Sequence, residues 1–331
     1  MQQPAYTDVP GNISGSGIPA FGLIDGQLGQ VRELIDKQLT VPAKARDIKP
    51  LLECVSTRSG KMLRPGLVLL AGGCCGKITD EHIRVAAIVE MIHNATLLHD
   101  DVIDEGQKRR GLPTVNSLWG NESAVLLGDF LLSRAFKMCA ELELTVARVI
   151  AATAIRVCEG ELRQVSQRQN WQLSESEYID IITEKSAALF SSCCYLGGLL
   201  AQAGETQVQS LADFGLNAGI AFQITDDLLD IIGDENKTGK TLGGDVSKHK
   251  LTLAVIHLLR AVDDPAPIRQ SLSSIGAGLA EVLNRYGSLE YARSRAQEFV
   301  VKAIASLAGL EESDAKGALI ETAKFMVSRA V

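Results

Sequence analysis

No proline occurs between residues 114 and 264, although the chain carries nine of them. A turn-rich β fold rarely runs that far without proline, whereas successive helices exclude it from their interiors. Nor is there a C-x-x-C pair among the seven cysteines, an odd number lying mostly among apolar residues. That speaks against a disulfide framework or a zinc site and for reduced, buried thiols in a cytoplasmic protein. Positive net charge is missing too: −7 over 331 residues makes nucleic acid or an acidic membrane a poor partner for the chain as a whole. No stretch makes a good transmembrane span. Ser186 to Gly204 is uncharged, but Ser191, Ser192, Gly197, Gly198 and Gln202 interrupt it, so it reads as a core helix. The opening MQQPAYTDVPGNISGSGIPA has neither the basic nor the apolar region of a secretory signal, and residues 1–20 read as a loose tail with order beginning near Phe21.

What is present is helical periodicity. Apolar residues recur at helical spacing in VRELIDKQL, HIRVAAIVEMIHNATLL and ESAVLLGDFLLSRAFKM, and strand-like alternation is scarce. Turn signals fall at Gly72-Gly73, at Arg110-Gly111-Leu112-Pro113, around Gly233 to Gly244 and at Asp264-Pro265. They predict an all-α fold of about ten helices, a single large bundle over residues 21–331 with no domain linker and no internal repeat.

Two stretches break the apolar texture with acids. LLHDDVIDEG carries Asp100, Asp101 and Asp104, and QITDDLLDIIGD repeats the pattern at Asp226, Asp227 and Asp230. On a helix the first and last acid of each motif share a face about 5–6 Å apart. Two anions at that distance repel by roughly 3 kcal/mol at an effective dielectric near 20, and burial raises the cost. A solvated acidic face would be the ordinary explanation, but Leu97, Leu98, Val102 and Ile103, and Leu228, Leu229, Ile231 and Ile232, leave little purely polar surface. A hard cation such as Mg2+, bound through carboxylates and completed by water and phosphate oxygens, relieves the repulsion. Basic residues able to meet the remaining phosphate charge occur at Lys61 with Arg64, at Arg109-Arg110, and at Lys240 with Lys250.

Together, GKMLRP, EMIHNATLLHDDVIDEGQKRRG, EKSAALF, AFQITDDLLDIIGD and TGKTLGGDVSKHKLTLAV resemble the trans-isoprenyl diphosphate synthases, with long-chain octaprenyl and solanesyl types as the nearest pattern. The resemblance runs from about Ile35 to the C-terminus. It implies an all-α bundle around a central cavity and a head-to-tail condensation of an allylic diphosphate with isopentenyl diphosphate. It implies that Asp100, Asp104, Asp226 and Asp230 ligate Mg2+, supported by Asp101 and Asp227. Arg109, Lys185, Lys240 and Lys250 would hold the allylic diphosphate, and Lys61, Arg64, His93 and Arg110 the isopentenyl diphosphate. Ser186 stands where relatives have Thr, Gln223 would face the allylic carbon, and His249 stands where relatives usually have Gly. A homodimer is also implied, with transient membrane contact for product release.

Ala95 and Thr96 lie one helical turn before Asp100, where relatives with short products carry aromatics. Small residues there imply a long product, with Phe130 or Phe136 as candidates for the floor. The alternatives are a geranylgeranyl or farnesyl synthase, or a non-catalytic subunit of a heteromeric enzyme. Glu90 and His93 form an E-x-x-H as in di-iron bundles, but no second copy completes such a site. A terpene cyclase would carry a different second motif.

Overall fold

The computed structural model describes residues 18–40, 48–57, 60–109, 111–233, 244–272 and 278–328. Among these the first long helices are α1 (Asp25–Leu39), α2 (Lys49–Thr57), α3 (Leu63–Cys75) and α4 (Asp80–Ile103), followed by α5 (Val115–Trp119) and α6 (Asn121–Cys139). Next come α7 (Leu144–Ser166), α8 (Glu175–Ile182), α9 (Ala188–Leu200) and α10 (Glu205–Ile232). The remainder is α11 (Gly244–Ser247), α12 (Leu253–Ala261), α13 (Ala266–Leu272), α14 (Leu279–Arg285), α15 (Ser288–Ser306) and α16 (Asp314–Ser328). The expected all-α class holds. Strand among the described residues is confined to a hairpin, β1 (Lys108–Arg109) against β2 (Leu112–Pro113), turning through Gly111 at φ +78°.

The expectation of about ten helices is exceeded because short helices occupy stretches whose Gly and Pro content signalled turns. In α13, for instance, Pro267 falls in the first turn, where its missing N–H leaves no hydrogen bond unmade. Of the residues expected to form a loose tail, 1–17 lie outside the described residues, while Ile18 and Ala20 are buried and Pro19–Ile24 form a 3-10 turn.

Helix α9 lies between α3 and α10, α10 between α9 and α15, and α4 along α6. Apolar residues cover most of the circumference of α9 and α10, as suits helices surrounded by others. At one crossing, a Cβ on Gly215 would lie 2.5 Å from the Phe190 carbonyl oxygen, so α9 and α10 approach almost backbone to backbone. All seven cysteines are free; six are buried or half-buried as expected, while Cys158 is exposed. Burial pushes the Cys74 and Cys193 thiols up to about 12, leaving them unreactive. Among the described residues no helix is long and apolar enough to cross a membrane.

Candidate active site

The last turn of α4 carries the first acidic motif. Carboxylates at a helix C-terminus oppose its macrodipole, so they require cations. Beyond α4 the chain turns through Glu105 at φ +49°, and Asn116 and Thr114 side chains fasten the Gly106 carbonyl at 3.1 and 2.7 Å. The hairpin that follows returns Arg109 onto Asp101: Nε donates to both carboxylate oxygens at 2.9 and 3.1 Å, and Nη2 lies 2.8 Å from Oδ1. Asp101 is thereby turned into a support for Arg109. The same guanidinium feels Asp100 and Asp226; burial alone would weaken its basicity, yet Asp101 and these two acids raise it. Arg109 thus stands between the two motifs.

A second link passes through Lys250. Its Nζ donates to Asp104 Oδ2 at 2.6 Å and lies 3.7 Å from Asp245 Oδ1, while the Asp245 backbone N–H donates to Asp230 Oδ2 at 3.0 Å. Burial would raise the Asp104 carboxyl, but Lys250, with Lys248 and Lys185, holds it below the usual carboxylate range. Asp100 goes the other way: burial pushes it up, against the pull of Lys185.

On α10, Asp227 is buried and accepts from Tyr178 Oη at 2.6 Å and Gln223 Nε2 at 2.8 Å. Burial, with Asp245 nearby, pushes it up to about 7 despite those two hydrogen bonds. Gln223 is fixed at its other end by Ser186, whose hydroxyl donates to Oε1 at 2.6 Å. The expected exposure of that oxygen to an allylic carbon is therefore shared with Ser186.

Lys185 and Ser186 do not sit in an ordinary α-helix. Residues Thr183–Ala187 form a π-helical turn between α8 and α9, a local widening that often marks function. Arg156 on α7 grips it through Glu184, with Nε to Oε2 at 2.6 Å and Nη2 to Oε1 at 3.1 Å. Lys185 Nζ bonds Gln164 Oε1 at 2.6 Å and pairs with Glu161. Burial would lower its pKa, but Asp100 and Glu161 raise it, so it stays cationic.

Asp100, Asp101, Asp104, Asp226, Asp227, Asp230, Arg109, Lys185, Ser186, Gln223 and Lys250 are thus linked, directly or through one neighbour, at one end of the bundle. Lys61 and Arg64 lie at the start of α3, their charges 5.2 Å above the Phe325 ring and 4.7 Å above the Phe190 ring. His93 is half-buried on α4, its carbonyl accepting from Thr96 Oγ1 at 2.8 Å. Arg110 and Lys240 lie outside the described residues. His249 adopts φ +56°, a left-handed conformation that glycine takes without strain, in keeping with the glycine that the resemblance leads one to expect there.

Tyr178, Arg168, Glu161, Gln164 and Asp245 were not anticipated. Tyr178 precedes Lys185 by seven residues, two helical turns, so same-face spacing was a signal for it; Arg168 lies beyond the end of α7 and Asp245 in the single turn of α11, where periodicity gives none.

Among the described residues no three acid, histidine or cysteine side chains cage a metal by themselves. Mg2+ needs no such cage, since it takes one or two carboxylates and keeps water and phosphate oxygens. An all-oxygen donor set divided between two helices, with cations interleaved, fits a metal shared with a phosphate ligand.

Below the site, Val89 and Ile92 of α4, Ile150, Thr153, Ala154 and Val157 of α7, and Leu189, Ser192 and Leu196 of α9 line an apolar hollow. Val89 lies eleven residues before Asp100, about 16 Å down the same helix face. Leu189, Ser192 and Leu196 likewise continue the face of Lys185. Ala95 is fully buried and Thr96 half-buried. Phe130 is half-buried with the Arg134 guanidinium 5.0 Å above its ring. Phe136 is 57% exposed on the outer face of α6, about 120° round the helix from Phe130, six residues earlier.

The family model described as polyprenyl synthetase matches residues 46–278. The octaprenyl diphosphate synthase of Escherichia coli is 37% identical over 278 residues, covering 82% of this chain and 86% of the relative. The short chain isoprenyl diphosphate synthase of Methanothermobacter thermautotrophicus is 35% identical over 289 residues, 84% of this chain and 89% of the relative. A polyprenyl synthase from Caulobacter crescentus, solved in complex with calcium and isoprenyl diphosphate, superposes with a TM-score of 0.89 at 31% identity, covering 97% of this chain and all of that one (100%).

Proposed function

The chain belongs to the polyprenyl synthetase family and is a prenyltransferase; from that premise we propose that it uses Mg2+ to extend an allylic diphosphate with successive isopentenyl diphosphates into a long-chain all-trans product. The observation that carries this reading is the convergence of two aspartate-bearing helix ends with Arg109, Lys185 and Lys250. A divalent metal on Asp100, Asp104, Asp226 and Asp230 would supply positive charge to the departing diphosphate. Arg109, Lys185 and Lys250, with Lys240, hold that diphosphate. Lys61, Arg64, His93 and Arg110 hold isopentenyl diphosphate.

Breaking the allylic C–O bond leaves a carbocation and diphosphate. The isopentenyl double bond adds to the cation, a C–C bond forms, and a proton passes to the released diphosphate. No protein nucleophile is needed. Gln223, oriented by Ser186, and the Lys185–Ser186 backbone turn dipoles toward the cation, and the apolar hollow keeps water away from it. Incubation with isopentenyl diphosphate, several allylic primers and Mg2+, followed by sizing of the dephosphorylated products, tests both activity and length. Absence of any elongated product would refute the reaction, and C15 or C20 products would refute the long chain.

Chain length follows from space below Asp100. Ala95 is a small side chain buried about one turn beneath it, so Ala95→Phe adds bulk at that level and is expected to shorten the product by at least one isoprene unit. An unchanged product length in the same assay argues against the assignment.

The protein acts as a cytoplasmic homodimer that touches a membrane only to release product. Support comes from an exposed stripe on α7, Leu144, Ala151, Ile155, Cys158, Leu162 and Val165, at alternating steps of three and four from Ala151 on, and from exposed Val125, Leu126 and Phe136 on α6. An apolar stripe of that pitch is a helix-pairing surface. Leu162, 70% exposed, is the most open of its large side chains. Leu162→Asp is expected to convert dimer to monomer in sedimentation velocity; a monomeric wild type, or a variant still dimeric, sinks this assignment.

A further inference from the structure

Arg168, two residues beyond α7, has no role in the reaction described above. Its Nη2 nevertheless donates to Asp104 Oδ1 at 2.8 Å, while Lys250 Nζ donates to Oδ2 at 2.6 Å. Both oxygens of one carboxylate are taken by cations from segments 64 and 146 residues away in sequence. The backbones behind the two cations are joined as well: Gln169 N–H donates to the His249 carbonyl at 3.2 Å, and the Trp171 and His249 rings meet edge-on with centroids 6.1 Å apart. Gln169 and His249 both lie in the left-handed region, at φ +66° and +56°, which is disfavoured for residues with a Cβ. Two such positions bonded to each other, each adjoining a cation on the same carboxylate, make a built arrangement of the kind that persists where surrounding structure over-determines it. Arg168 Nε is buried with no hydrogen-bond partner among the described residues, so the guanidinium keeps a donor in reserve.

A metal ion and two cations compete for one carboxylate. A diphosphate offers oxygens to all three, and a guanidinium fork suits it well. We propose that Arg168 is a positioning residue that, with Lys250, keeps Asp104 ion-paired until a diphosphate draws both cations onto its own oxygens, so that metal binding at Asp104 depends on the diphosphate. This rests on Asp104 being a metal ligand as proposed above. By linkage, metal strengthens diphosphate binding by the same factor.

Mn2+ binding to the full chain, read by electron paramagnetic resonance with inorganic pyrophosphate absent or present and corrected for the metal–pyrophosphate complex in solution, tests this without turnover. Wild type is expected to bind Mn2+ about tenfold more tightly when pyrophosphate is present. Arg168→Gln is expected to bind it about fivefold more tightly than wild type when pyrophosphate is absent, which narrows the coupling. Arg168→Lys keeps a cation within reach and retains most of the wild-type coupling. The proposal is overturned if the Gln variant gains no affinity without pyrophosphate, or if the Lys variant behaves like the Gln variant, since disturbed packing rather than charge is then responsible. If wild type binds no Mn2+ even with pyrophosphate, the metal-site reading falls and takes this proposal with it.

Discussion

Asp100→Asn is expected to lower turnover by on the order of 10²–10³-fold while making the metal-free protein more heat-resistant at neutral pH. The loss of turnover follows from position. Asp100 adjoins Lys185, Arg109 and Asp104 electrostatically, so neutralising it removes one of the charges that would hold metal and orient the cationic clamp. The gain in stability follows from burial, which raises the Asp100 carboxyl against the pull of Lys185. A carboxyl whose folded pKa lies above its unfolded value binds its proton more tightly in the fold. Its contribution to stability is therefore lost as pH rises from the ordinary carboxylate range through the raised folded value. Above that window the wild type carries a constant deficit that asparagine lacks, and below it the deficit vanishes. Steady-state kinetics and thermal melts across pH in metal-free buffer read both effects. Full activity, or a melting temperature below wild type at neutral pH, would contradict them.

Gly160→Ala is expected to cost about 1–3 kcal/mol of stability and to reduce kcat by roughly 10²-fold. An added Cβ would stand 2.2 Å from the Lys185 backbone nitrogen, 2.6 Å from its Cα and 2.8 Å from the Glu184 carbonyl carbon. These are backbone atoms of the π-helical turn and cannot step aside as a side-chain tip can. Relief requires the turn to move away from α7, which stretches the Arg156–Glu184 pair and carries Lys185 and Ser186 with it. A displacement near 1 Å at a charge-holding lysine is enough for the kinetic effect. Gly317→Ala is the control, because nothing lies within 4 Å of the corresponding Cβ on α16 and alanine favours a helix. Unfolding curves and kcat should change strongly for Gly160→Ala and hardly for Gly317→Ala; equal behaviour of the two would exclude this role for the turn.

The spacing of Asp100 with Asp104, and of Asp226 with Asp230, was legible because i and i+4 share a face on any helix. The same rule, applied to α6, places the two alternative floor candidates Phe130 and Phe136 about 120° apart round the helix. Asp101 and Asp227 were distinguishable from their neighbours only in outline. That one is spent on Arg109 and the other on Tyr178 depends on where a hairpin and α8 come to rest. Cysteine burial was read correctly for six positions and missed at Cys158, which lies on the exposed stripe of α7.

By itself the sequence determined the all-α class, the long periodic helices, the core character of α9 and the presence of two acidic turns needing cations, since each of these follows from which residues recur within a few positions of one another. Tertiary structure alone decided which cation meets which carboxylate, the π-helical presentation of Lys185, and the double grip of Arg168 and Lys250 on Asp104. Those contacts join residues from 8 to 146 positions apart. They exist only because packed helices fix the ends of side chains in space, and local periodicity carries no record of how two helices cross.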